Sequence, residues 1–188
     1  MKVIQLHHKN NTALIKKAAK GKRDAQHTLF EMYAPKMLSV CRYYIRDMQN
    51  AESVMLNGFF KAFTNLKNFK NEGSFEGWLR RIMARESISF LRQEKHIEFS
   101  VEEEPVRQEQ YNNIESQIEV AQIQQLIDEL PEGYKMIFVM YAIEGYKHHE
   151  IADMLQISLG TSKSQLFKAR QMLQKKIKDI NTTSYGTH

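Results

Sequence analysis

The chain has 188 residues, 42% of them hydrophobic and 26% charged, with a net charge of +5; this is core-forming material for one or two small domains and excludes a disordered chain. The longest apolar run, Met136 to Ile143, is far short of the ~20 residues a membrane span needs, and no long apolar segment or small-residue cleavage site follows Lys2, so neither membrane insertion nor a signal peptide is expected. Cys41 is alone, which excludes an intramolecular disulfide and a multi-cysteine zinc site and suits the cytoplasm.

Three prolines and eight glycines among many strong helix formers predict an all-α protein. The first helix is expected from Thr12 to Lys20, stopped by Gly21. Asp24 is placed to cap the second, which turns Leu29, Phe30, Tyr33, Met37, Leu38, Val40 and Cys41 inward and should kink or break at Pro35. Asn50 is placed to cap a third, Ala51 to about Leu66, with Val54, Met55, Phe59, Phe60, Phe63 and Leu66 as its apolar positions. A loop comes next, Asn68 to Gly73, and Ser74 caps a fourth helix carrying Phe75, Leu79, Ile82, Met83 and Phe90 at helical spacing.

From Ile97 to Asn113 the periodicity fails in a stretch holding Glu102, Glu103, Glu104 and Pro105, which reads as a linker. Helical spacing resumes at Ile114, Ile118, Ala121, Ile123, Leu126, Ile127 and Leu130 and stops at Pro131. Another helix begins over Tyr134 to Ile143, closed by Gly145; two more are expected, His148 to Leu155 and about Leu159 to Ile177. The organisation is therefore an N-terminal domain over 1–96, a flexible acidic linker over 97–113, a C-terminal domain over 114–180 and a tail over 181–188. Charge shows the same division: +10 over residues 1–96, −9 over 97–132 and +4 over 133–188. Two basic blocks on an acidic tether suit two nucleic-acid-facing domains, although uneven surface charge alone would look the same.

The most informative segment is His148 to Ile177. A first helix with Ile151, Ala152 and Leu155 gives way to the turn Gln156-Ile157-Ser158, where Ser158 can cap a second helix. That second helix puts Ser162, Leu166, Ala169, Leu173 and Ile177 on one stripe and Thr161, Lys163, Ser164, Phe167, Lys168, Arg170 and Gln171 on its other faces. Any helical hairpin shows such spacing; the basic exposed face is what favours a DNA-binding helix-turn-helix. Its second helix would offer base contacts in the major groove and meet phosphates with Lys and Arg.

Several segments together resemble the extracytoplasmic-function sigma factors. In the C-terminal half these are Leu130-Pro131-Glu132, Glu144-Gly145-Tyr146, Glu150-Ile151-Ala152, Ile157-Ser158, Gly160-Thr161, Lys163-Ser164 and Ala169-Arg170. In the N-terminal half they are Leu29 to Tyr33, Ala51-Glu52, Phe59, Lys61-Ala62-Phe63, the run Phe75 to Ile82, and Leu91-Arg92. The resemblance implies a partner, core RNA polymerase through its β′ and β subunits, and a substrate surface, promoter DNA. The first domain would grip β′ and capture the melted −10 strand. The second would read the −35 duplex through Thr161, Lys163, Ser164, Phe167, Lys168 and Arg170. An anti-sigma factor is the family's usual companion; no residue here shows one.

One segment departs from the family. The helix that contacts β′ usually carries acids and an amide where this chain has Ser53, Leu56 and Asn57, with Gly58 next. The polymerase contact expected of Glu52, Ser53, Met55, Leu56 and Asn57 is therefore either more apolar or weaker, and a mid-helix glycine costs roughly 0.5–1 kcal/mol against alanine. For the melted strand, Phe69, Lys70 and Asn71 form a polar loop with aromatic edges suited to an extruded base, and Arg80, Arg81 and Arg85 can track the phosphates. Trp78 has two readings, core anchor or base stacking. About 17 linker residues reach up to ~60 Å extended, ample for two separated promoter contacts.

Catalysis is not expected. His148-His149-Glu150 and His7-His8 invite a metal, but neighbouring helical residues point apart and no second ligand cluster exists; both His148 and His149 fit a helix start near phosphate. No phosphate-binding glycine loop, activated serine or carboxylate pair stands out, so no cofactor is implied. The rival to a sigma factor is a stand-alone helix-turn-helix regulator, which would footprint DNA without polymerase.

Overall fold

In the computed structural model, which describes residues 12–70, 72–94, 99 and 120–185, every regular element is a helix. The chain divides into two units, Met1–Glu94 and Lys95–His188. The first holds α1 (12–19), α2 (Arg23–Tyr44), α3 (Met48–Thr64), a 3₁₀ turn (Leu66–Asn68) and α4 (Phe75–Glu94). α2, α3 and α4 pack against one another in all three pairings, burying Leu29, Met37, Val40, Phe59, Leu79 and Met83.

Local chemistry sets most of the ends, with three corrections to the expectations from sequence. Gly21 stops α1 at a φ of +77°, a left-handed conformation that glycine takes without a Cβ penalty. α2 begins after Lys22, with no side-chain cap; Asp24 lies one residue inside it, in the first turn. α3 begins after Asp47, whose carboxylate accepts from Asn50 N at 2.8 Å, so Asn50 is capped and is not the cap. Pro35 does not break α2, which runs unbroken through it. The buried stripe Leu29, Tyr33, Met37, Val40, Cys41 and Tyr44 continues on both sides of the proline, and that packing outweighs the one backbone hydrogen bond it forfeits.

Gly58 explains itself only in three dimensions. A Cβ there would lie 2.4 Å from Met83 Sδ and 2.9 Å from its Cε, so the missing side chain is what admits the fully buried Met83 of α4.

The second unit holds α5 (Val120–Asp128), α6 (Glu132–Phe138), a π turn (Val139–Ile143), α7 (His148–Leu155) and α8 (Leu159–Tyr185). α6 and α7 both pack on α8. Leu126, Leu130, Ala169 and Leu173 form a buried cluster, with Tyr134, Phe138, Met172 and Ile177 packed against it. Ile123, expected on the apolar stripe of α5, is exposed. α5 stops at Asp128, ahead of Pro131 as expected, and Pro131 also serves as the N-cap residue of α6. Lys135 is buried and pairs with Asp128 at 2.9 Å, tying α6 to α5. α8 runs past Ile177 to Tyr185, so 181–185, expected as tail, are helical; no glycine or proline stands in its way before Gly186. The linker residues other than Phe99, together with Ile114 and Ile118, lie outside the described residues.

Candidate nucleic-acid and polymerase interfaces

In the first unit, the loop before α4 forms a pocket of about 400 Å³ lined by Asn68, Phe69, Lys70, Glu72, Gly73, Ser74, Gly77, Trp78 and Arg81. Ser74 Oγ accepts from Gly77 N at 3.0 Å, capping α4 as its sequence position predicts. Three rings support the pocket: Phe69 lies 5.3 Å from Trp78 and 5.5 Å from Phe75, and Phe75 lies 5.7 Å from Trp78. Tyr33 of α2 stands edge-on behind Phe75 at 5.3 Å. Trp78 therefore combines its two readings, packed on aromatic neighbours while half-buried in the pocket wall.

The cations divide. Lys70 and Arg81 line the pocket, and Arg85, exposed, lies one helical turn beyond Arg81 on the same face. Arg80 is half-buried and absent from the lining, because one residue along a helix rotates the side chain by ~100°. Asn71 lies outside the described residues.

On α3, Glu52, Ser53 and Asn57 are exposed, Leu56 is 53% exposed and Phe60 is 73% exposed. Positions 52, 53, 56, 57 and 60 fall at i, i+1, i+4, i+5, i+8 and make one outward stripe. Two expectations are corrected here. Met55, 6% exposed, faces the core with Ala51, Gly58, Phe59 and Ala62, so it is no surface contact. Phe60, expected in the core, stands on the outward stripe. Beside it a groove of about 240 Å³ runs between α3 and α4, lined by residues including Asn57, Phe60, Phe90 and Gln93. Lys61 Nζ bridges to both Glu86 oxygens, at 2.8 and 2.7 Å.

In the second unit, α7 and α8 form the expected helix-turn-helix. Gln156 takes a left-handed conformation, φ 56°, closing α7, and Ile157 N donates to Ala152 O at 3.1 Å. Ser158 Oγ accepts from Thr161 N at 2.9 Å and lies 2.8 Å from Thr161 Oγ1, while Ser164 Oγ donates to Thr161 O at 3.2 Å. The hydroxyls of Thr161 and Ser164 are thus held in the cap and first turns of α8. Lys163 is exposed; Phe167 and Lys168 are half-buried. The Arg170 guanidinium sits 5.5 Å over the Tyr141 ring, a cation–π arrangement that steers it toward the π turn.

His148 stands at a helix start as expected, the first residue of α7, but its ring is turned to protein partners. Its ring stacks on Tyr141 at 4.6 Å and 28°, and its Nδ1 lies 2.9 Å from Ser162 Oγ, a residue with no exposed surface. Burial, and then Lys163 and Arg170, hold its pKa below the ordinary histidine value. His149 is exposed. Two features of this corner escape sequence reasoning: the burial of Gln165, 2% exposed, and Leu159, 46% exposed at the first position of α8. Among the described residues no group of three or more His, Cys, Asp or Glu could hold a metal ion, and no helix is long and apolar enough to cross a membrane.

The comparisons with known proteins fall on these two units. The profile of Sigma-70 region 2 matches residues 29–97 and that of Sigma-70 region 4 matches residues 121–173. The ECF RNA polymerase sigma factor SigW of Bacillus subtilis is 27% identical over 180 residues, covering 88% of this chain and 96% of its own. The chain belongs to the extracytoplasmic-function sigma factors. Further relatives are the RNA polymerase sigma-H factor of Pseudomonas aeruginosa, 25% identical over 89% of this chain and 93% of its own, and the ECF sigma-E factor of Escherichia coli, 23% identical over 89% of this chain and 94% of its own. The solved structure of CnrH in complex with the cytosolic domain of CnrY shares the fold, with a TM-score of 0.52 and 19% identity over 89% of this chain and 96% of that one. The sigma factor RpoE of Bartonella quintana, solved with the anti-sigma factor NepR, also has a TM-score of 0.52, with 17% identity over 79% of this chain and 94% of that one. A sigma factor directs RNA polymerase to promoters, and the paired region 2 and region 4 matches disfavour a stand-alone regulator. The region 2 match spans the aromatic pocket and the outward stripe of α3; the region 4 match spans the helix-turn-helix.

Proposed function

We propose that this sigma factor divides promoter recognition between its units, an N-terminal domain over 1–96 and, after a linker over 97–113, a C-terminal domain from 114 that extends to the end of α8 at Tyr185. The pocket takes a base extruded from the melted −10 strand, stacked against Trp78 and Phe69, with Lys70 and Arg81 on the adjoining phosphates and Arg85 further along. The observation that carries this reading is the pocket itself. An open cavity with an aromatic wall and a cationic rim offers both handles that single-stranded DNA presents, a base face and a phosphate. Arg80 belongs to the same assignment only as a flanking charge.

The first turns of α8 read the −35 duplex in the major groove. Lys163 and Lys168 contact phosphate or a base edge, and Thr161, Ser164 and Phe167 lie along the approach. Arg170 acts from its place over Tyr141. The outward stripe of α3, with Glu52, Ser53, Leu56, Asn57 and Phe60, contacts the β′ subunit of core polymerase, and the linker passes β. Two exposed apolar side chains, Leu56 and Phe60, beside the uncharged Ser53 and Asn57 support a more apolar version of that contact. The protein acts in the cytoplasm, by binding and without catalysing a reaction. CnrH and the Bartonella sigma factor were each solved with a bound partner, which supports an anti-sigma partner for this chain too.

In vitro transcription with purified core polymerase on a genomic fragment library tests the reading. Transcripts from a discrete set of fragments, sharing paired upstream and downstream elements, are expected. Output no different from core polymerase alone would overturn it.

A further inference from the structure

The corner where the π turn, α7 and α8 meet carries a hydrogen bond from an aromatic stack to the buried side of the recognition helix. Tyr141 belongs to the π turn, where Glu144 N bonds to Val139 O at 3.0 Å; the wider turn displaces the side chains relative to a regular α-helix. His148 opens α7, a start held by Glu150 accepting from Lys147 N at 2.9 Å. Its ring is clamped against Tyr141 by stacking and reaches Ser162 Oγ. Ser162 lies between Thr161 and Lys163, the residues assigned to DNA, and is itself fully buried.

We propose that His148 is a positioning residue for −35 recognition: stacked on Tyr141, it holds Ser162 by a hydrogen bond and so fixes the rotation of the first turns of α8 about their axis. The proposal rests on the reading of α8 as the −35 helix. A buried serine hydroxyl without a partner would be costly, so the hydrogen bond selects the orientation that satisfies it. Rotating α8 to expose Ser162 would carry Thr161 and Lys163 away from their outward positions together, since neighbouring residues on a helix turn as one body.

The same geometry has a pH signature. The groups facing the ring are Tyr141 of the π turn and Ser162, Lys163 and Arg170 of α8. Two are cations, and Glu150, the carboxylate in the first turn of α7, is engaged with the Lys147 backbone. A proton added to the ring would be repelled by Lys163 and Arg170 and would make Nδ1 a donor, so that the contact with Ser162 persists only with the hydroxyl turned round to accept. Positioning is therefore strongest while His148 is neutral, and weakens as pH falls through a pKa already lowered from the usual histidine value, because the protonated ring stands against Lys163 and Arg170 at the start of α8.

The test uses holoenzyme, the full chain with core polymerase, and a promoter duplex recovered by the transcription experiment beside the same duplex scrambled at −35. The readout is the ratio of the two affinities from about pH 7.5 down to about pH 5.5. Wild type should lose selectivity as pH falls. His148→Phe keeps the stack but has no acceptor and should be roughly five-fold less selective at neutral pH, with little further change on acidification. His148→Asn can place an amide oxygen near the Nδ1 position and should restore most of the selectivity without the pH dependence. Ser162→Ala should resemble His148→Phe and add nothing to it. Should His148→Phe fail to fold, by circular dichroism, the Asn and Ala variants decide the matter alone. Selectivity equal to wild type in the folded variants, or a pH profile unchanged in His148→Asn, would overturn the proposal. Failure of wild-type holoenzyme to select any promoter would instead overturn the functional reading beneath it.

Discussion

Gly58 of α3 and Met83 of α4 occupy one space: a Cβ on the first would lie 2.4 Å from the sulfur of the second. Gly58→Ala should therefore destabilise the first unit even though alanine is the better helix former. Overpacking costs about 1–3 kcal/mol against a helical gain of at most about 1 kcal/mol. Thermal unfolding should show a lower Tm for Gly58→Ala and a partial recovery in Gly58→Ala with Met83→Leu, which withdraws the terminal Sδ–Cε reach. A single variant as stable as wild type would mean that Met83 has room to move.

The stripe of α3 separates binding from folding at adjacent positions. Leu56→Glu changes an exposed side chain and should leave the helical circular dichroism intact while weakening polymerase pull-down roughly ten-fold, through lost apolar contact and a stranded charge. Met55→Glu buries the charge instead and should cost ~3 kcal/mol or more, unfolding the domain. Unimpaired pull-down by folded Leu56→Glu would remove that residue from the interface.

Arg80 and Arg81 should differ despite being neighbours. Only Arg81 lines the pocket, so Arg81→Ala should reduce permanganate reactivity of unpaired thymines at a promoter, and the deficit should grow with salt as a lost phosphate contact does. Arg80→Ala should behave much closer to wild type. Equal defects in the two would detach strand capture from the pocket.

Lys163 is exposed beside the buried Ser162. Replacing it with alanine should weaken duplex binding about equally for matched and scrambled −35 elements if it meets phosphate. The slope of log affinity against log salt should then flatten by about one unit. A loss confined to the matched element would make it a base contact instead.

Much of this molecule is legible in the sequence because the signals are local. Ser74 and Ser158 cap the helices just after them, as a hydroxyl just ahead of an apolar-periodic run should, since the free N–H groups lie within one turn. The helix-turn-helix is readable for the same reason: His148–Leu155 and the stripe Ser162, Leu166, Ala169, Leu173 depend only on spacing and a short turn. Where one residue answers several local demands, spacing loses its power. Asp24 and Asn50 are both acceptable caps by type, yet the backbone enters each helix earlier.

The orientation of α3 is the clearest decision left to tertiary structure. Val54, Met55, Leu56, Phe59, Phe60 and Phe63 put apolar groups nearly all round the helix, so no period singles out an inner face. Contact with α2 and α4 turns Met55 inward and leaves Leu56 and Phe60 in solvent. The same contact makes room for Met83 at Gly58, a vacancy that sequence can register only as a helix defect. In the second unit, the π turn brings Tyr141 under His148 and Arg170, three residues from three elements whose meeting no local pattern encodes. Periodicity and capping act within a turn or two of chain; which face of a helix is buried, and which side chains meet across helices, is decided by the surfaces that pack against it.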